Sequence, residues 1–348
     1  MKTLSDNRYN GFWIGLVFFV FMFFLAWGIT GLQSGNMWLQ TLNKIGIFSA
    51  LALSLNLILG QAGLFNMGHI AFFAIGAYVT SILNTTLGMP IIYTLPFAAC
   101  ITAIIAFIII TPVIHLRGDY LLVVTIGIGE ILRIALNNDI FGLTGGPNGI
   151  TGVKRFEIFD FRFTTQFSQF YLIWGFVALT TLLFYLLEHS RFGRALNYIK
   201  YDEVAASGNG INIVYYKLVV FALGAFWAGI AGAFYAPFMR TVSPGLFQFE
   251  DSVLLFAIVV LAGGGNIIGV VVSTFLLVGM RDVLSSFLGS WSLLFFGAMM
   301  VLLMIIRPQG IMHPRKRRYK ARYLIGKYPS GVEKTTLTFR KTETGETL

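Results

Sequence analysis

A few polar and ionisable side chains interrupt otherwise apolar sequence, and they have the greatest capacity for chemistry in this chain. Asn66 and His69 stand at one such break, and Glu130 and Arg133 stand three positions apart in another apolar block. A spacing of three places the latter pair on one face of a helix, where the two charges can meet. Ionisable residues in apolar segments often mark a substrate or proton pathway, because burying them is costly. We therefore treat these four residues as candidates for a substrate pathway.

Each of these residues also has a purely structural interpretation. His69 is more simply explained as a packing histidine whose ring nitrogens are satisfied by neighbouring groups. Glu130 and Arg133 are equally well explained as an internal ion pair that holds helices together. The apolar blocks contain no series of carboxylates. A proton relay needs several titratable groups within reach of one another, so a proton-coupled carrier is disfavoured.

Motifs for enzymes, cofactors and metals are incomplete. The glycines at 127 and 129 lack the third glycine of a dinucleotide fingerprint, and the triple glycine at 263–265 lacks the Lys-Ser/Thr of a phosphate loop. The histidines have no metal-ligand spacing with cysteine or carboxylates: His69, His115, His189 and His313. We expect no catalytic residue, no metal site and no cofactor bound by this chain itself.

The composition is that of an integral membrane protein. Hydrophobic residues make up 56% of the 348-residue chain and charged residues 11%, whereas soluble domains carry about 25% charged residues. A formal net charge of +10 is compatible with binding to nucleic acid, but 11 of the 25 Lys and Arg residues lie at or after Arg307. A basic tail on the cytoplasmic side of a membrane explains this distribution better than a nucleic-acid surface does.

Apolar runs of about 20 residues match the thickness of a bilayer, and their positions predict an all-α, polytopic fold with about ten transmembrane helices. The first run has features of a signal peptide, but it is longer than a usual signal core, so we expect a retained signal-anchor. The predicted spans are residues 11–30, 38–60, 67–84, 90–116, 120–138, 169–187, 217–239, 252–262 with flanking residues, 267–279 and 292–306.

Positive charges orient these spans. An even number of crossings puts both termini on one side, and the basic cluster at 315–322 places that side in the cytoplasm. The resulting boundaries are a cytoplasmic N-terminus at 1–10, a transmembrane domain at 11–311 with an external segment at 139–168 and a cytoplasmic loop at 189–216, and a basic, disordered tail at 312–348.

The longest polar interruption between two apolar blocks is residues 190–210, and it predicts two short helices. The first is amphipathic. Its buried side is formed by Phe192, Ala195, Leu196 and Ile199, and its solvent-exposed side is formed by Arg191, Arg194 and Lys200. Asp202 is suited to cap a second helix at 203–207, which the residues at 208–210 end. A partner protein could bind to such a projecting pair of helices.

Small residues recur at four-residue spacing within several spans. Examples are Gly224, Ala228 and Gly232 in one span and Gly68 and Gly76 in another. Such patterns let helix backbones approach closely. The simple interpretation is tight packing within one bundle. The alternative is a set of broken or closely crossing helices that line a pathway, because interrupted backbone at membrane depth must face protein or water.

Several motifs together resemble one known family. The runs at 63–78 (GLFNMGHIAFFAIGAY) and 116–150 (LRGDYLLVVTIGIGEILRIALNNDIFGLTGGPNGI) resemble the permeases of branched-chain amino-acid ABC importers of the LivM type. The motifs RFGRA at 191–195, DEVAA at 202–206 and RPQG at 307–310 follow in the same order. The resemblance covers roughly residues 51–311 and leaves out the first span and the tail.

The resemblance implies a multi-pass protein of the bacterial cytoplasmic (inner) membrane with defined partners. These are a second homologous permease, two ABC ATPases and a periplasmic or lipid-anchored substrate-binding protein, all organised around the lipid bilayer, with no nucleic acid. ATP and Mg would be bound by the ATPases. This chain would therefore be a transport subunit and not an enzyme.

The resemblance also implies roles for particular residues. The loop that contacts the ATPase in ABC importers carries over to Glu203, Ala205, Ala206 and Gly210, although the usual Glu-Ala-Ala pattern is only loosely kept here. Residues that would support this contact are Arg191, Gly193, Arg194 and Asp202. A candidate contact for the binding protein, which is also explained as a simple turn, consists of Thr144, Gly145, Gly146 and Asn148.

The resulting hypothesis is ATP-driven uptake of leucine, isoleucine or valine by alternating access between two permeases. A related importer for urea, amides or other amino acids is an alternative. A passive channel or secondary carrier without ATPases is a less favoured one, because such a protein has no need for a capped helix that projects from the membrane. A membrane enzyme is disfavoured by the missing catalytic groups.

Overall fold

The computed structural model describes residues 35–116, 118–139, 142–158, 161–306 and 310–311. The first predicted span at 11–30 and the basic tail at 312–348 lie outside the described residues. In the described part the helices are α1 (Gly35–Leu55), α2 (His69–Thr86), α3 (Ile91–Ile110), α4 (Asp119–Asn137), α5 (Gln166–His189), α6 (Arg191–Tyr201), α7 (Glu203–Gly208), α8 (Ile213–Met239), α9 (Phe249–Ala262), α10 (Ile267–Leu288) and α11 (Ser292–Ile306).

Shorter elements connect these helices. Helix α1 continues directly into a π-helical segment, Asn56–Gln61, and 3₁₀ turns occupy Gly146–Asn148, Pro244–Leu246 and Gly289–Trp291. Four two-residue strands accompany the predicted helical fold and form antiparallel pairs: β1 (Ile150–Thr151) with β4 (Thr241–Val242), and β2 (Glu157–Ile158) with β3 (Phe161–Arg162).

The helices coincide with the predicted spans wherever the structure describes them. By length and composition, six helical stretches of the described chain could cross a membrane: Asn36–Gln61, Ile91–Ile110, Gln166–His189, Ile213–Met239, Pro244–Ala262 and Ile267–Leu288. Helices α2, α4 and α11 fall below that length or apolarity. The protein is therefore a polytopic helical membrane protein.

Connecting segments gather at two opposite ends of the helix bundle. At one end, Ile311 N donates to Leu261 O at 2.7 Å, and the Lys200 ammonium reaches Gly60 O at 2.6 Å. At the other end, β1 pairs with β4. Helix α8 runs between the two ends over 27 residues, or about 40 Å at 1.5 Å per residue. The paired strands β1 and β4 and the loop at 189–216 thus lie at opposite ends.

Glycine allows α2 and α8 to cross in backbone contact. A Cβ placed on Gly76 would lie 2.2 Å from Gly229 O, and one placed on Gly232 would lie 2.1 Å from Phe73 O. Helix α3 approaches the same stretch, since a Cβ on Gly229 would lie 2.9 Å from Ala98 O. The small residues in these spans therefore serve close packing between helices.

This crossing predicts opposite effects for the same substitution at two helical glycines. Gly232→Ala should lower the melting temperature of the detergent-solubilised protein, because the new methyl group meets backbone atoms that cannot move aside, at a cost of about 1–3 kcal/mol. Gly175→Ala in α5 is the matched control, since its Cβ would have no neighbour within 4 Å and alanine favours a helix by about 1 kcal/mol over glycine. Equal melting temperatures for the two variants would contradict the crossing.

Candidate functional site

The polar loop between α5 and α8 folds into the two predicted helices, each with a side-chain cap. Ser190 Oγ accepts from Gly193 N at 3.2 Å at the start of α6. Asp202 Oδ1 accepts from Val204 N at 2.9 Å and Ala205 N at 3.0 Å at the start of α7. These caps satisfy amide groups that the first turn of a helix leaves without partners.

Helix α6 has the buried side that its spacing predicts. Ala195, Leu196 and Ile199 are buried, whereas Arg191 is exposed. Gly193 lies at the joint with α5, where an added Cβ would come within 2.5 Å of Leu187 O. The joint between α5 and α6 therefore requires glycine, which gives Gly193 a structural role.

Helix α7 is held to the start of α8 by an ion pair. Lys217 Nζ lies 2.8 Å from Glu203 Oε1, and the Lys217 side chain is only 5% exposed. A salt bridge with one deeply buried partner is costly to break, because the remaining charge would lack compensation. The position of α7 relative to α8 is thus firmly set.

The exposed surface of α7 differs from the one expected from the sequence. Ala206 is 3% exposed and faces its own protein, so it supports the loop from within instead of fitting a partner's groove. Ala205 is exposed, together with Val204 at 75%, and Tyr201 at the end of α6 is 83% exposed. Gly210, with φ of +78°, ends the loop in the left-handed region that favours glycine.

Lys200 contacts other parts of the protein, although the spacing of residues predicts it on the solvent-exposed side of α6. The residue keeps exposed surface, but its ammonium nitrogen lies 2.6 Å from Gly60 O and 3.5 Å from Gly264 O. Burial of this group lowers the pKa of Lys200. No sequence signal separated Lys200 from the neighbouring arginines.

Asn66 and His69 form a closed hydrogen-bond network with Ser54. Ser54 Oγ donates to Leu51 O at 2.7 Å, so the same oxygen accepts from His69 Nε2 at 2.7 Å. His69 Nδ1 then accepts from Asn66 Nδ2 at 3.3 Å, while Asn66 Oδ1 accepts from Gly68 N at 3.0 Å. Both ring nitrogens are satisfied in a neutral imidazole. His69 therefore has the geometry of a packing histidine.

Glu130 and Arg133 pair within α4. Arg133 Nε donates to Glu130 Oε2 at 2.8 Å, and Arg133 Nη2 lies 2.8 Å from the same oxygen. Their side chains are 33% and 37% exposed, respectively. Because both charges belong to one helix, this pair does not itself link two helices.

The glycine-rich turn after α4 is organised by Asp139. Its Oδ1 accepts from Thr144 N at 2.9 Å and Gly145 N at 2.8 Å, and Thr144 Oγ1 donates to Leu136 O at 2.9 Å. Of the four residues predicted to contact the binding protein, Thr144 and Gly146 are buried, while Gly145 and Asn148 are exposed. Only the exposed pair is available to another protein.

Comparison with known proteins places the chain in a family. Residues 37–304 match the family model described as branched-chain amino acid transport system / permease component. The chain belongs to this family. The resemblance of its motifs to LivM-type permeases is therefore confirmed.

Named relatives of this permease fall into two groups. The high-affinity branched-chain amino acid transport system permease protein LivM of Escherichia coli K12 is 36% identical over 311 residues, which cover 83% of this chain and 72% of the relative. LivM of Salmonella typhimurium LT2 is 36% identical over 289 residues, covering 76% and 68%. LivH of E. coli K12 is 25% identical over 315 residues, covering 84% and 96%. No solved structure matches.

Two ion pairs at the end of the bundle that carries β1 and β4 were not predicted from the sequence. Lys44 Nζ lies 2.7 Å from Asp282 Oδ1, and Arg281 Nη1 lies 2.6 Å from Asp251 Oδ1. They join α10 to α1 and to α9. Sequence positions near span ends were the available signal, but the pairing itself depends on tertiary contacts.

The cap on α7 predicts a difference between two substitutions at Asp202. Asp202→Ala removes the acceptor for two amides and should destabilise the helix by about 1 kcal/mol, which raises hydrogen-exchange rates at Val204 and Ala205. Asp202→Asn keeps an acceptor oxygen and should exchange nearly as slowly as the wild type. Equally fast exchange in both variants would assign the effect to the lost charge instead of the cap.

Proposed function

We propose that this permease forms one half of the membrane pathway of an ABC importer that takes up leucine, isoleucine and valine by alternating access. The proposal is supported by relatives named as branched-chain amino acid permeases. In this assignment a second homologous permease forms the other half of the pathway. Two partner ATPases hydrolyse ATP, and a periplasmic or lipid-anchored binding protein delivers the substrate.

The proposed setting is the bacterial cytoplasmic membrane, with ten spans and both termini in the cytoplasm. The alternation of connecting segments between two ends of the bundle supports this topology. The loop at 189–216 then faces the cytoplasm, and the segment at 139–168 faces outward. The basic tail follows the positive-inside rule.

The single observation that carries the proposal is the capped helix α7. It is rigidly attached to α8 through Glu203 and Lys217, and it presents Val204 and Ala205 outward, close in sequence to the exposed Tyr201 at the end of α6. Exposed apolar side chains grouped on a polar loop are typical of a surface that contacts another protein. We therefore assign ATPase contact to this surface, with Arg191, Arg194 and Glu203 at its polar edge and Gly193, Asp202, Ala206 and Gly210 maintaining its shape.

Transport by the assembled complex tests the function itself. The permease should be co-purified with its partner subunits, reconstituted into proteoliposomes and supplied with the binding protein. We expect ATP-dependent uptake of radiolabelled leucine, isoleucine or valine. Uptake of urea or an amide instead would change the substrate assignment, and uptake by the permease without ATPases would refute the importer.

A bulky, charged side chain on α7 should reduce ATP-dependent transport without preventing membrane insertion. Ala205→Arg places a long side chain on the exposed surface without entering the protein's own interior, so the variant should insert normally but lose most ATP-dependent uptake, by about tenfold or more for a lost coupling contact of about 1.4 kcal/mol. Thr86→Arg, an exposed position at the opposite end of the bundle, is the matched control. Equal uptake by both variants would contradict the assignment.

Helix α4 is the proposed wall of the pathway. Its exposed side combines Val123, Ile131 and Ile134 with the partly exposed charges of Glu130 and Arg133. Charged side chains at membrane depth are costly against lipid and are found facing protein or a hydrated cavity. A second permease and a hydrated pathway would satisfy this requirement. One carboxylate and one guanidinium also complement the ammonium and carboxylate groups of an amino acid.

Asn66 and His69 have a more indirect role in this proposal. Their hydrogen bonds are used within the protein, and the neighbouring Met67 N donates to Thr125 Oγ1 on α4 at 3.2 Å. They would therefore shape the break beside the pathway and keep α4 in place. The exposed Gly145 and Asn148 at the outer end remain the proposed contact for the binding protein, with Thr144 and Gly146 supporting the turn.

Exchanging the two charges of α4 distinguishes a pathway role from simple ion pairing. Glu130→Arg and Arg133→Glu should each reduce uptake strongly, because each leaves two like charges adjacent. The double exchange restores the ion pair but reverses the order of charges along the pathway, so uptake should stay low. Full recovery of uptake in the double variant would show that only the pairing matters.

A further inference from the structure

We propose that Lys200 is a positioning residue that links the loop at 189–216, called the coupling loop below, to the two helix breaks at the cytoplasmic end of the pathway. This inference rests on the proposed function, because it concerns how partner ATPases drive the permease. The first break comprises the π-helical segment Asn56–Gln61 and the residues that follow it. The second is the turn at 263–266 between α9 and α10.

The ammonium of Lys200 bridges the backbone of both breaks. Its Nζ lies 2.6 Å from Gly60 O in the first and 3.5 Å from Gly264 O in the second. Hydrogen bonds from a charged donor are stronger than those between neutral groups. Carbonyl groups at the end of a helix lack intrahelical partners and carry partial negative charge, so they suit a cation. One side chain thereby holds α6 against α1 and the α9–α10 turn.

Gly63 makes room for this side chain, because a Cβ on Gly63 would come within 3.0 Å of Lys200 Cγ. The two breaks also contact each other directly, since a Cβ on Gly60 would lie 2.5 Å from Gly265 N. Asn56 Oδ1 accepts from Gly265 N at 2.9 Å and joins the breaks independently of Lys200.

The two breaks are therefore joined to each other through Asn56 and Gly265. The Lys200 ammonium connects them to α6. Helix α7 has its own connection to α8 through Glu203 and Lys217. A movement imposed on α6 and α7 by an ATPase can thus reach two sets of helices: α8 through Lys217, and α1, α9 and α10 through Lys200. π-Helical segments frequently occur at functional sites, as the one beside Lys200 does here.

Removing the ammonium tests the link in the full complex. Lys200→Met keeps much of the side-chain length but cannot donate to the carbonyls, and the amount of leucine transported per ATP hydrolysed should fall at least tenfold while hydrolysis continues. Lys200→Arg keeps a charged donor and should restore much of the ratio. Lys154→Met, at the opposite end, controls for loss of a lysine. An unchanged ratio in Lys200→Met, or a loss explained entirely by incomplete assembly, would overturn the proposal.

A reversible covalent link provides a second test that does not depend on comparing separately folded variants. A Cβ on Gly63 would lie 3.5 Å from Lys200 Cβ, within the range of about 3.5–4.5 Å that a disulfide requires. The double variant Gly63→Cys/Lys200→Cys, in a Cys100→Ser background, should be uncoupled when reduced. Oxidation should restore transport per ATP, because the disulfide replaces the lost connection. Gly63→Cys alone, which keeps Lys200, controls for placing a side chain at the left-handed φ of +73°. Failure of the oxidised double variant to recover, when this single variant stays coupled, would refute a rigid link.

The wild-type complex separates failure of this inference from failure of the proposed function. Absence of ATP-dependent uptake by the wild type would refute the importer itself. Normal uptake by the wild type together with normal coupling in Lys200→Met and in the reduced double variant would refute only the role of Lys200.

Discussion

Every backbone amide and carbonyl at membrane depth needs a partner, and this requirement shapes the permease wherever its helices are interrupted. At the break after α1, Asn56 supplies an acceptor to the neighbouring turn, while Asn66 and the His69 ring complete a closed network. Glycines at both breaks let the backbones meet directly. Irregular structure is thus accommodated inside the bundle where side chains such as Asn56 and Asn66 pair with the interrupted backbone.

The loop at 189–216 is attached firmly to the helix bundle. Its two helices begin with side-chain caps from Ser190 and Asp202. Glu203 pairs with Lys217 of α8 and fixes α7, while Lys200 donates to the Gly60 carbonyl at the break after α1. Rigid attachment allows a small loop to transmit movement, because a flexible loop would absorb it.

The opposite end of the permease is stabilised differently. Ion pairs connect α1, α9 and α10, and β1 pairs with β4, which directly follows α8. On α4, by contrast, Glu130 and Arg133 pair with each other within one helix. The ion pairs between separate helices hold the bundle together, whereas the pair on α4 links no other helix.

The sequence by itself determined the class of protein, the positions of the described helices, the cap at Asp202 and the pairing of Glu130 with Arg133. These depend on composition, apolar length and spacing along one helix, which are local properties. Tertiary structure decided that Ala206 faces inward while Ala205 faces outward, and that Lys44 meets Asp282 across 238 positions of sequence. It also decided that Lys200 reaches Gly60, 140 positions away. Local spacing cannot encode such contacts, because they depend on how separate helices pack and where their breaks meet.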